Sequence, residues 1–229
     1  MISFSLQPYI TYLPSQERVD CCTASASLIA AEVICNMGRK PRTFSRLYTY
    51  YMTRKLQDRQ GLRGADLETT FKSLSIYGAA SERLWSFSNH RVDVEPQMPV
   101  IEDAVHYKLE SYESIAHSQF REALNNGIPI VFGMFTGRKF WKLNSTLETQ
   151  DYEPVNETSN RPSKGHAVTC IGYNDSINGG SWIIANSMGP KWGDRGYGAI
   201  PYSCNVDIAE AFIITRFAGI TAGLKISSN

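Results

Sequence analysis

Two cysteines, Cys21 and Cys22, introduce an apolar, small-residue stretch in the run QERVDCCTASASLIAAEVICNM, from Gln16 to Met37. A thiol becomes a nucleophile when its pKa falls from about 8.5 toward neutrality. A helix start does this, because its unpaired N–H groups favour an anion, and so does a neighbouring imidazolium. The stretch predicts a helix from Cys22 onward, which puts that sulfur at the helix start. The imidazole must come from elsewhere, and His166 in Gly165-His166-Ala167-Val168 opens an apolar strand. Asn186 follows a second strand, Ser181-Trp182-Ile183-Ile184-Ala185. An amide there can orient the imidazole by accepting its other N–H. Each residue also has a plain structural use: a small core thiol, a strand-opening histidine, a turn asparagine.

These side chains need elements to hold them. The helix from Cys22 carries Ala24, Ala26, Leu28, Ile29, Ala30, Ala31, Val33 and Ile34, apolar nearly all round, so it is expected at the centre of its domain. Gly38 is the expected left-handed stop and Pro41 blocks continuation. Ser45 is an N-cap for a second helix through Leu56, and Asp66 starts a third that ends near Tyr77-Gly78. Trp85 to Ile101 lacks helical period and reads as a crossing between two halves. Strands are expected at Val105–Ser111, Pro129–Phe135, 166–173, 181–186, 197–201 and Ala211–Arg216, with a short helix at Ser118–Asn126 and a polar loop or hairpin over 136–164.

Composition narrows the function. Among 229 residues, 23 Lys+Arg against 22 Asp+Glu leave a net charge of only +1, which argues against nucleic acid or an anionic membrane as partner. No apolar run is long enough for a membrane helix, and the first residues, MISFSLQPYITYLP, lack the sections of a signal peptide. The five cysteines, 21, 22, 35, 170 and 204, form neither a disulfide framework nor a CxxC metal site. These features predict a cytoplasmic chain without metal or cofactor. The sequons at Asn144, Asn156 and Asn174 are then coincidental.

Taken in order, Gln16, Cys22, His166 and Asn186, then Trp192-Gly193 and Gly196-Tyr197, resemble the papain-like cysteine peptidases over roughly residues 13–216. The run GHAVTCIGYND…SWIIANSMGPKWGDRGYGAIPY carries the strongest part. Cys22 and His166 are separated by an interval within the roughly 130–150 residues of that group, and Asn186 lies slightly beyond it. The resemblance implies an α+β, papain-like two-lobed fold. A helical lobe, 13–100, would carry the nucleophile and a β-barrel-like lobe, 101–216, the histidine and asparagine, with 1–12 as a lead-in strap and 217–229 a loose tail.

It further implies an endopeptidase acting on protein or peptide substrates. Cys22 would attack, His166 would pair with it as an imidazolium, Asn186 would orient the ring, and the Gln16 amide would join the Cys22 N–H at the oxyanion. Gly64 would offer its backbone to the substrate as an added strand, although a turn glycine reads equally well there. Gly165 and Ala167 would wall the pocket for the second residue before the cut, and Trp192 would pack on the leaving-group side. Both pocket residues are small and uncharged, which predicts a bulky aliphatic or aromatic side chain there over a basic one. The short stretch before Cys22 leaves no room for a long inhibitory propeptide, which suggests a mature form or a chain not made as a zymogen.

The chain departs from the family at three places. Val19 stands where secreted relatives have a disulfide cysteine, Thr23 replaces an aromatic, and Met188 replaces the tryptophan that shields the histidine–asparagine bond. Thr23 and Met188 keep open a module that binds peptides without cleaving them. An acyl-transferring enzyme would use the same triad.

Overall fold

A computed structural model of the chain describes residues 3–143, 164–203 and 208–223. Asn144, Asn156, Cys204, most of the 136–164 stretch and the end of the tail lie outside the described residues.

The chain opens with a short strand, β1 (Ser3–Ser5), and a 3-10 turn at Gln7–Tyr9. Three helices follow: α1 (Cys22–Met37), α2 (Arg46–Leu56) and α3 (Leu67–Tyr77). The N-caps of α2 and α3 are those the sequence announces, since Ser45 Oγ accepts from Tyr48 N and Asp66 Oδ1 from Thr69 N. Then come α4 (Met98–Ala104), β2 (Leu109–Ser114), α5 (Phe120–Asn125), β3 (Ile130–Thr136) and α6 (Arg138–Trp141). The chain ends in β4 (Lys164–Asn174), β5 (Ser181–Ala185), β6 (Tyr197–Pro201), β7 (Ile208–Phe217) and β8 (Ile220–Thr221). All strand pairings are antiparallel, in the order β2-β7-β3-β4-β5-β6.

α1 is buried from Thr23 to Cys35 and feeds all three apolar clusters. Ile29 and Val33 join Phe120, Phe132, Val168 and Trp182; Leu28, Ala31 and Ile34 meet Phe71, Val131, Phe212 and Phe217; Ala24 packs with Leu47, Tyr48, Tyr51 and Trp85. Val131 and Phe132, adjacent on β3, enter different clusters because strand side chains alternate between faces. Glu32 is the charged residue among those buried on α1. Its carboxylate takes both Nη atoms of Arg46 at 2.7 and 2.8 Å and the Phe44 N–H at 2.8 Å, which ties α1 to the start of α2.

Several expectations are corrected. Gly38 is right-handed, with φ −73°, and the left-handed residue is Arg39, with φ 56°. Space at 38 is tight, since a Cβ there would lie 3.0 Å from Ile220 Cγ2 and Ile220 would have to shift. The strand expected at Val105–Ser111 starts at Leu109, and the supposed crossing contains α4, whose Pro99 fits a first helical turn where no N–H is required. The lead-in is part of the sheet: β1 pairs with β4, matching Ser5 to Gly172, and Leu6 is wholly buried. A Cβ on Gly172 would lie 2.2 Å from the Phe4 carbonyl oxygen, so β1 can dock only against a glycine. The tail is not loose over its first residues, where β8 pairs with β7 and Ile220 is buried.

Candidate active site

Cys22 is the first residue of α1, and no acidic side chain occupies that turn. The backbone N–H groups of Ala167, Thr23 and Cys22 itself are directed at its sulfur. Ala167 follows His166 on β4, so strand and helix start meet at this sulfur. Cys22 and His166 border the same cleft of about 540 Å3, together with Gln16, Gly64, Ala65, Trp141, Gly165 and Met188. Cys21, one residue earlier, points into the helical cluster with no exposure, its Sγ 3.7 Å from Ser25 Oγ. Burial pushes that thiol up to about 12.

The histidine tautomer follows from hydrogen bonding. Asn186 Oδ1 lies 2.9 Å from the Ser187 backbone N–H, a group that can only donate, so this atom is the oxygen. His166 Nε2 is 2.8 Å from the same oxygen and must therefore carry the proton. Nδ1 is left with the lone pair and is the nitrogen able to take a thiol proton. The rings of Trp141 and Phe140 stand 4.9 and 5.5 Å from the imidazole. They shield it although residue 188 is methionine.

Burial works against charge on both groups. It raises the Cys22 thiol, against the three N–H groups, and it pushes His166 down to about 4, against the bond to Asn186. The simple expectation of a thiol lowered by its helix start is thus corrected, because desolvation outweighs it. A thiolate–imidazolium pair can form here only as one coupled titration, each charge offsetting the burial of the other.

Gln16 is 7% exposed and anchored at both ends of its amide, Nε2 donating to Val19 O at 2.9 Å and Oε1 accepting from Ser187 Oγ at 2.5 Å. One amide hydrogen remains, on a side chain that borders the cleft. Its backbone N–H also reaches Ser187 O at 2.7 Å, so the residue beside Asn186 holds Gln16 in place. Thr23 is buried and receives the Thr70 hydroxyl at 3.0 Å, a link between α1 and α3 in place of an aromatic.

Gly64 has φ 76°, and its N–H donates to Tyr50 Oη at 2.9 Å, so that amide is spent inside the protein. The next residue, Ala65, borders the cleft and a side pocket, and no described residue takes its N–H or C=O. Trp192 is buried behind Phe140, giving its Nε1–H to Phe140 O at 2.8 Å, and it is Trp141 whose ring reaches the cleft. The sequence reading missed Phe140 and Trp141 inside a stretch taken for polar loop; the aromatic pair itself was the available signal.

The side pocket, of about 240 Å3, is bounded by Gly165 and Ala167 as expected, but also by Asp66, Phe135 and Glu210. The Glu210 carboxylate lies over Gly133, where an added Cβ would be 3.4 Å from Oε1. Its pKa is raised, chiefly by burial and then by Asp66 and Glu68, while the Leu67 N–H bonds to it and opposes the rise. The expected uncharged wall is therefore corrected to one that carries carboxylates. Among the described residues no His, Cys, Asp or Glu group has the geometry of a metal site.

The profile of the papain family cysteine proteases matches residues 6–215, and the chain belongs to that family. It is 28% identical over 222 residues to an uncharacterized peptidase C1-like protein of Acanthamoeba polyphaga mimivirus, covering 89% of this chain and 70% of the relative. Among solved structures it is similar to xylellain, a cysteine protease from Xylella fastidiosa, with TM-score 0.78, 27% identity, and coverage of 93% and 85%. It also shares the fold of the bromelain protease from Ananas comosus, with TM-score 0.71, 19% identity, and coverage of 92% and 96%. The papain-like α+β fold expected from the sequence is the fold found.

Proposed function

We propose that the chain is a cysteine endopeptidase in which Cys22, His166, Asn186 and Gln16 perform peptide hydrolysis. The observation that supports the reading most is the Asn186 oxygen, fixed as an acceptor by Ser187 N–H, which leaves Nδ1 of His166 unprotonated in a ring that borders the same cleft as Cys22. Nδ1 takes the thiol proton as sulfur attacks the peptide carbonyl. The oxyanion is met by the Cys22 N–H and the remaining Gln16 amide hydrogen. The imidazolium then gives its proton to the leaving amine, and an acyl-enzyme remains. Water, deprotonated by His166, attacks the thioester, and the acid and the free thiol are released. No cofactor is required. Free thiols at Cys21, Cys22, Cys35 and Cys170 support a reducing, cytoplasmic setting.

The test is hydrolysis of fluorogenic peptides and of a denatured protein by wild type and Cys22→Ala. The proposal expects turnover that disappears in the variant while peptide binding persists. Equal background hydrolysis by both proteins, with equal peptide binding, would replace it with a peptide-binding module.

A further inference from the structure

The α2–α3 connection, residues 57–66, supplies Arg63, Gly64 and Ala65 to the cleft but contains no strand or helix. Something else must hold it. Arg54, near the end of α2, is 2% exposed, and its guanidinium spans two loops. Nη1 donates to Leu62 O at 3.1 Å and to Asp93 Oδ1 at 2.6 Å, and Nη2 donates to Val92 O at 2.5 Å. The guanidinium lies 4.1 Å from the centre of the Tyr50 ring, one helical turn earlier, and Tyr50 Oη receives the Gly64 N–H. Two adjacent side chains of a buried helix therefore grip the segment at residues 62 and 64. The next residue is Ala65, which borders the cleft and the side pocket and whose N–H and C=O no described residue takes.

We propose that Arg54 and Tyr50 are positioning residues that fix the Ala65 backbone as the docking edge for an extended peptide. Neither needs to touch the ligand. A planar guanidinium can satisfy three carbonyl or carboxylate oxygens in fixed directions, which an ammonium cannot. Val19 and Leu62 line one cavity with Arg54 and Tyr50, so the grip borders a region that holds no cysteine. The proposal deepens the reading of the same cleft, but its test is separable from catalysis.

The experiment uses the Cys22→Ala protein, so turnover is irrelevant, and measures the Kd of a blocked tripeptide amide alone and with Arg54→Met, Arg54→Lys or Tyr50→Phe. Hydrogen exchange of the 59–66 segment is read alongside. The proposal expects Arg54→Met to weaken peptide binding at least tenfold, Arg54→Lys to restore it only in part, and Tyr50→Phe to weaken it severalfold. Exchange should rise in 59–66 and not in β4 or β5. On the wild-type background, cleavage of p-nitrophenyl acetate, too small to reach Ala65, should stay within twofold. Unchanged Kd in all variants would overturn the proposal, as would exchange rising equally in β4 and β5. If the wild type cleaves neither substrate, the peptidase reading fails while the binding result still decides the role of Arg54.

Discussion

The two walls of the cleft are built on different principles. His166 and Asn186 sit on or next to β4 and β5, where paired strands fix each residue through backbone bonds, and a neighbouring backbone N–H fixes the amide that orients the ring. The opposite wall, from Gly61 to Ala65, has no ladder and depends on Arg54 and Tyr50 reaching in from α2. The His166 imidazole thus rests on paired strands, and the Ala65 segment on a few side-chain bonds. Chemistry should therefore resist disturbance on the loop side, whereas peptide affinity should not.

The largest expected effect on the chemistry is at Gln16, which precedes α1 and is tied to the residue beside Asn186. Gln16→Ala should lower kcat by roughly 10²–10³, with KM little changed, because the bond is made mainly in the transition state. Truncating a loop side chain ordinarily costs little stability. The buried anchors at Val19 O and Ser187 Oγ instead predict a stability loss of about 1–3 kcal/mol, readable by urea denaturation. An unchanged kcat would remove Gln16 from the oxyanion site.

The next effect tests the coupled titration. In Cys22→Ala no thiolate remains, so His166 should titrate near 4 by NMR, below its ordinary 6.5. The folded state then binds fewer protons than the unfolded one. The corresponding stability is complete above pH 6.5 and is lost as pH falls through about 4, by about 3 kcal/mol. In wild type the same histidine should titrate higher, and the difference measures its coupling to the thiol. Identical titration in the two proteins would show that no coupling exists.

A smaller effect is expected in the side pocket, where Glu210 stands on β7. A basic side chain two residues before the cut should be preferred over an aliphatic one, and Glu210→Gln should reduce that preference about fivefold, the scale of one partly exposed ion pair. The preference should fade on acidification at a higher pH than for a free glutamate, since burial raises this carboxyl. A peptide library showing no change in Glu210→Gln would discard the role.

The sequence revealed what short-range chemistry decides. Ser45 and Asp66 are caps by residue type, α1 is central because it is apolar all round, and β4 and β5 announce themselves by composition. Cys22, His166 and Asn186 could be singled out as candidates because each has a distinctive neighbourhood in the chain. What escaped depends on distant partners. β1 is a strand only because Gly172 admits the Phe4 carbonyl, and Glu210 matters only because β7 places it over Gly133. Nothing local to Arg54 tells that Leu62, Val92 and Asp93 converge on it. Gly64 was recognised as a φ-positive glycine, yet the amide left free belongs to Ala65, one residue on.

The central claim is that His166 makes Cys22, and no other thiol, reactive. It is tested most directly by limited iodoacetamide labelling at pH 6 with peptide mapping, on wild type and on His166→Ala. The account predicts that Cys22 is alkylated well before Cys21, Cys35 and Cys170, whose thiols burial pushes up to about 12, and that removing the imidazole slows Cys22 by at least tenfold. Labelling of Cys21 first, or an unchanged Cys22 rate without His166, would contradict it.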